Sequence, residues 1–159
     1  MNRSDVLTAA GMGAMAGMRA LSAPTVMSQQ MAEDGTPVQA SPVEEILSSP
    51  TTARVLPLLA LGEFVLDKIP GISERIASPA LVMRVASGLL MGVAVARQKK
   101  VPVVGLAVVG AAAALASSFV LFKARQFATE RLRIPNILAG FIEDALVTSA
   151  GVRLSAAIG

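Results

Sequence analysis

From Val101 to Phe122 the chain runs 22 residues without a charge. At about 1.5 Å per residue, a helix of that length crosses a hydrocarbon layer of about 30 Å. A helix in the core of a water-soluble domain is rarely apolar on every side for so long, because one face normally meets solvent. This run therefore points to an all-α chain whose outer surface meets lipid. The composition agrees: 53% of the residues are hydrophobic and only 16% are charged, too few to coat a solvated surface. One domain is the natural count for 159 residues.

The absences narrow the chemistry. There is no cysteine and no histidine. That excludes disulfides, thiolate nucleophiles, a histidine base and the usual zinc ligand sets. No glycine-rich phosphate loop with its lysine is present, and the carboxylates match no metal-binding spacing, so neither an enzyme nor a cofactor is expected. The formal net charge is +3. The basic residues stand at the ends of apolar segments rather than on one face among aromatics. They fit membrane anchoring, with the lipid bilayer as the main partner, and give no nucleic-acid footprint. The missing tryptophan and tyrosine remove the usual interfacial belt.

Taken in order, the chain reads as five helices, four or five of them spanning. The first covers about Asp5 to Ser22. Asp5 interrupts the basic start and Arg19 follows the apolar run, so the segment is read as a retained helix rather than a secretory signal. Gly13 and Gly17 have the spacing that lets two helix backbones approach. Methionines Met12, Met15, Met18 and Met27 offer adaptable packing, and Arg19 is placed to snorkel toward an interface. Residues 23 to 50 carry Pro24, Pro37, Pro42 and Pro50 and four uncompensated acids, Glu33, Asp34, Glu44 and Glu45. They read as a Pro-rich acidic loop with a short helix near Glu44 to Leu47.

The second segment, about Thr51 to Lys68, has Pro57 in its first turns and Glu63 in its apolar middle. Asp67 lies four residues on, on the same face. Pro70-Gly71 ends it. The third runs from Ser78-Pro79, a cap and a first-turn proline, to about Gln98. It carries Arg84, a second small-residue pair (Gly88 and Gly92) and a basic end at Arg97, Lys99 and Lys100. The fourth is the uncharged run, followed by Lys123 and Arg125. The fifth starts at Pro135 and holds Glu143 and Asp144 two to three turns in. The basic residues at the two ends of the fourth segment nearly cancel as an orientation signal. A cytoplasmic N-terminus is the slight preference. Acids midway along the second and fifth segments, each after a Gly/Ala-rich helix, also suggest a weak inverted repeat, a pattern of transporters.

The segments GMRALSAP (17–24), GEFVLDKIP (62–70), the arginines Arg75 and Arg84, and EDALV (143–147) resemble the bacterial membrane proteins grouped as domain of unknown function 4126. The resemblance covers nearly the whole chain and implies a multi-helix membrane protein without assigning an activity.

A carboxylate or guanidinium at the centre of a bilayer costs at least about 2.5–3.5 kcal/mol, so such groups must be paired, neutralised or turned to water. The expected site combines Glu63, Asp67, Lys68, Arg75, Arg84, Glu143, Asp144 and Arg19. Glu63 or Asp67 is expected to pair with Arg84, and Glu143 or Asp144 with Arg19 or Arg75. The leading reading is a small multi-pass protein of the cell membrane that moves an ion or small solute. The alternative is a structural or accessory protein whose ion pairs only fix helix packing. A third is a lipid-handling protein that uses the basic helix ends. The glycine faces suit packing within one chain or the seam of a homo-oligomer.

Overall fold

A computed structural model describes residues 2–35, 40–66 and 78–131, together with Ala145 and Ser149. Six α-helices occupy this range: α1 (Arg3–Met18), α2 (Ser22–Asp34), α3 (Pro42–Ser48), α4 (Pro50–Leu66), α5 (Ser78–Gln98) and α6 (Val103–Glu130). The described residues form no strand. The sequence predicts four long helices over this range and a short one near Glu44 to Leu47. The expected fifth segment lies outside the described residues except for Ala145 and Ser149, and so does the second acidic half of the inverted repeat.

The additional helix, α2, arises where a loop is expected, and α3 is the short helix expected near Glu44 to Leu47. Prolines in residues 23 to 50 suggest a connector, yet α2 and α3 fill most of it. The reason is position. Pro24 lies in the first turn of α2, Pro42 is the first residue of α3, and Pro50 is the first residue of α4. At these places the missing N–H has no intrahelical partner to lose, and the fixed φ suits the helix. At α3 the Ser41 side chain accepts from the Glu44 N–H, while the Glu44 carboxylate accepts from the Ser41 N–H at 2.7 Å. That reciprocal pair sets the start of a seven-residue helix. The first helix, by contrast, stops earlier than expected, at Met18. Pro57 falls inside α4, two turns from its start. It deprives the Ala53 carbonyl of its intrahelical donor.

Helices α1, α5 and α6 pack on one another and form the larger group; α2 packs chiefly on α3 and α4. Small residues make the three-helix contact. A methyl group built on Gly13 would collide with the Gly110 carbonyl of α6, and one on Gly17 with the Ala114 carbonyl. Gly88 and Gly92 of α5 abut the backbone of α6 at Gly110 and Leu106. All four glycines expected at helix contacts are therefore at one. Gly110, which faces both α1 and α5, is the crossing point among them. Met12, Met15, Met27 and Met91 are fully or almost fully buried and fill the gaps left between such close backbones.

The size pattern runs inside out. On α6 the buried positions are Leu106, Ala107, Gly110, Ala114 and Ser118. Its exposed positions include Val104, Val108, Leu115, Phe119 and Val120. Val55, Leu58, Leu59 and Leu61 are likewise exposed on α4, and Val82, Met83 and Leu89 on α5. Two helical stretches, Pro79–Gln98 and Val103–Ala128, are long and apolar enough to cross a membrane. Helices α1 and α4 are shorter, at 16 and 17 residues.

The corner between α5 and α6 is tight. The Val101 N–H donates to the Ala96 carbonyl at 2.9 Å, and the Lys100 N–H to that of Arg97 at 3.1 Å. This paired closure requires a left-handed residue, usually glycine, just past the helix end. Here it is Lys100, at φ +53°. Its Cβ crowds the following carbonyl, a cost of about 1–2 kcal/mol. Lys100→Gly is therefore expected to stabilise the fold by about 1 kcal/mol, read as a higher thermal midpoint in detergent.

Candidate functional site

The break between α1 and α2 is the place where polar groups gather. Arg19 has extended backbone, φ −143° and ψ 125°, so α1 cannot continue through it. Had the helix run on, the Ala20 and Leu21 N–H groups would have bonded the carbonyls of Ala16 and Gly17. Instead they donate to the two oxygens of Glu63, 43 and 42 residues away on α4: Ala20 to Oε1 at 3.0 Å and Leu21 to Oε2 at 3.1 Å. The carbonyls left behind find serines. Gly17 accepts from Ser118 Oγ of α6 at 3.0 Å, and Ala20 accepts from Ser87 Oγ of α5. One turn earlier, Ala14 accepts from Ser117 Oγ at 3.0 Å. Helices α4, α5 and α6 thus meet at the three-residue break between α1 and α2, and its exposed hydrogen-bonding groups are met by side chains from outside the helix.

Two cations share this region. Arg19 lies in the break itself and is 7% exposed. Arg84, also 7% exposed, stands one turn before Ser87 on α5, on the same face. The expectation that Arg19 reaches for an interface is thereby corrected. Its helix ends one residue earlier, inside the bundle, and the side chain is enclosed.

The structure brings Glu63, Arg19 and Arg84 to this one region. Asp67, Lys68, Arg75, Glu143 and Asp144 lie outside the described residues, and so do the pairings expected of them. The Glu63 carboxylate accepts from two backbone N–H groups. A carboxylate on N–H donors at the start of a helix gains from both the hydrogen bonds and the positive end of the dipole. Asp5 and Glu44, both buried, do the same at the starts of α1 and α3. Local spacing announces those two; Glu63 serves a helix that is distant in sequence. Sequence reasoning also missed Ser87, Ser118 and Gly110. The four-residue spacing of Gly110 and Ala114 is the one signal available for the last, and it is obscured by the surrounding alanines.

A model of the family described as domain of unknown function 4126 (DUF4126) matches residues 6–157. The chain belongs to that family. For this DUF4126 member the match spans both the three-helix group and the α1–α2 break. No curated protein and no solved structure matches the chain.

Proposed function

We propose that this DUF4126 protein is a multi-pass membrane protein that passes an ion or small solute through the polar centre at the α1–α2 break. The membrane part is supported by the inside-out size pattern. Water offers no reason to place Val104, Val108, Leu115, Phe119 and Val120 outside and glycine, alanine and serine inside. In lipid that arrangement costs nothing on the outer face and lets the backbones approach within.

The observation that carries the functional part is the broken helix itself. A backbone interruption among apolar helices is tolerated where protein groups or a water-filled cavity satisfy it, and ionisable groups at such depth commonly mark a solute path. Here the interruption is joined by a carboxylate and two buried guanidiniums. Discontinuous helices whose freed backbone groups hold the substrate or ion are a recurring construction of transporter binding sites. Release of the Glu63 carboxylate from Ala20 and Leu21 would expose two donors to an anion.

The test is flux through proteoliposomes under imposed proton, sodium and chloride gradients, with empty vesicles and Glu63→Gln as comparisons. Wild-type flux well above that of empty vesicles, reduced several-fold in Glu63→Gln, is the expected result. One observation favours the alternative, in which the centre only holds helices together: both Glu63 oxygens are already engaged by backbone. On that reading Glu63→Gln lowers stability and no gradient dissipates faster than through lipid alone.

A further inference from the structure

We infer that the corner between α5 and α6 binds the phosphodiester head groups of anionic lipid. The inference rests on the membrane reading above and is independent of any transport. Three observations converge. Arg97, Lys99 and Lys100 are all exposed at this corner, and the described residues contribute no acid between Ser78 and Glu130 to offset them. The helix dipole at the end of α5 amounts to about half a negative charge, which one cation would satisfy; three exceed it.

The second observation is conformational. Lys100 holds the left-handed position of the turn, where glycine would do so without strain. The chain thus keeps a cation at a position whose geometry disfavours any side chain, and such departures call for a role beyond the turn itself.

The third is continuity. The apolar outer face of α6 begins at Val104, one turn past Lys100, and continues through Val108. An acyl chain lying along Val104 and Val108 would bring its head group to the level of Lys99 and Lys100. A lipid phosphate and a free phosphate share the same oxyanion chemistry, but only the lipid also uses the apolar face. The occupant is accordingly an anionic phospholipid, with phosphatidylglycerol as its probe.

The experiment uses the full chain, purified in detergent, with three variants: Lys99→Gln, Lys100→Gly and the double change. Lys100→Gly is expected to be the more stable fold, so weaker binding in it cannot be ascribed to damage. Thermal midpoints are measured with phosphatidylglycerol, with phosphatidylcholine and with inorganic phosphate. Retained lipid is counted by native mass spectrometry. Wild type should be raised more by phosphatidylglycerol than by phosphatidylcholine and left unmoved by phosphate. Affinity should fall about fivefold for each charge removed, the contribution of a basic residue at an anionic leaflet. Equal shifts with both lipids, an undiminished preference in the double variant, or reproduction of the shift by phosphate would each overturn the proposal. Insertion is checked separately by flotation with phosphatidylcholine vesicles after an alkaline wash. Failure to float removes the membrane reading itself, whereas flotation without lipid preference removes only the lipid site.

Discussion

Gly110→Ala is expected to cost the fold about 3 kcal/mol or more. A methyl group at Gly110 would lie far inside contact distance of the Gly88 carbonyl oxygen and 3.1 Å from the Gly92 nitrogen. Both obstacles are backbone, so no side chain can rotate away. Helices α5 and α6 would have to separate, and the close contacts at Gly88 and Gly92 would be lost along with that at Gly110. Overpacking of a well-fitted contact costs about 1–3 kcal/mol by itself, and the lost packing adds to it. Gly62 supplies the internal comparison. It too is a helical glycine, but nothing stands within 4 Å of the position its methyl would take. There alanine should act only through helix propensity and stabilise by about 0.5–1 kcal/mol. The pair is checked by chemical unfolding in mild detergent followed by circular dichroism. Equal effects at Gly62 and Gly110 would show that the glycine crossing does not hold the bundle together.

Removing the carboxylate from α4 is the second large effect. Glu63→Ala should lower stability by about 3 kcal/mol, with Glu63→Gln intermediate. Glu63 accepts from two backbone N–H groups, each a hydrogen bond to a charged acceptor worth about 1.5–3 kcal/mol. Glutamine can offer one carbonyl oxygen and so serves one donor without the charge. Alanine serves neither, and its loss leaves two amide groups at a helix break with no acceptor. The effect should appear locally before it appears globally. Amide exchange at Ala20 and Leu21 should quicken most, while amides in the middle of α6 retain their protection. If Glu63→Ala left the exchange of Ala20 and Leu21 unchanged, the clamp across α1, α2 and α4 would be refuted. The Lys100→Gly variant, expected to gain stability, completes the set with a change in the opposite direction.

Much of this architecture was legible from residue order because its causes are short-range. The uncharged stretch after Val101 and the Ser78-Pro79 start placed α5 and the beginning of α6 to within a few residues, while α6 runs on past Phe122 to Glu130. Glycines 13, 17, 88 and 92, picked out by their four-residue spacing, all lie at helix contacts. Reading residues 23 to 34 as loop rather than α2 has a local cause as well. Proline density suggested a breaker, yet Pro24, Pro42 and Pro50 each sit in a first turn, where proline favours a helix. Reading position within the segment, with Ser41 and Glu44 as a reciprocal cap, separates the two outcomes.

The candidate site divides along the same line. That Glu63, Arg19 and Arg84 had to be accommodated within apolar surroundings follows from the cost of stranded charge. Which groups accommodate Glu63 did not follow. Counting opposite charges points to arginine, because side chains are what a sequence displays; it gives no sign of the two main-chain N–H donors freed by an interruption of α1.

By itself the sequence determined an all-helical chain with a long apolar run, the narrow faces along which its helices approach, and the presence of enclosed acids and bases. Those properties depend on periodicity, side-chain volume and cap chemistry within one or two turns. Only the tertiary structure decided where α1 stops, that Gly110 stands at the meeting of three helices, and that a carboxylate 43 residues downstream holds the break. Each of these depends on how α1, α4, α5 and α6 dock, and a backbone N–H acquires an identifiable partner only once a distant helix has been brought against it.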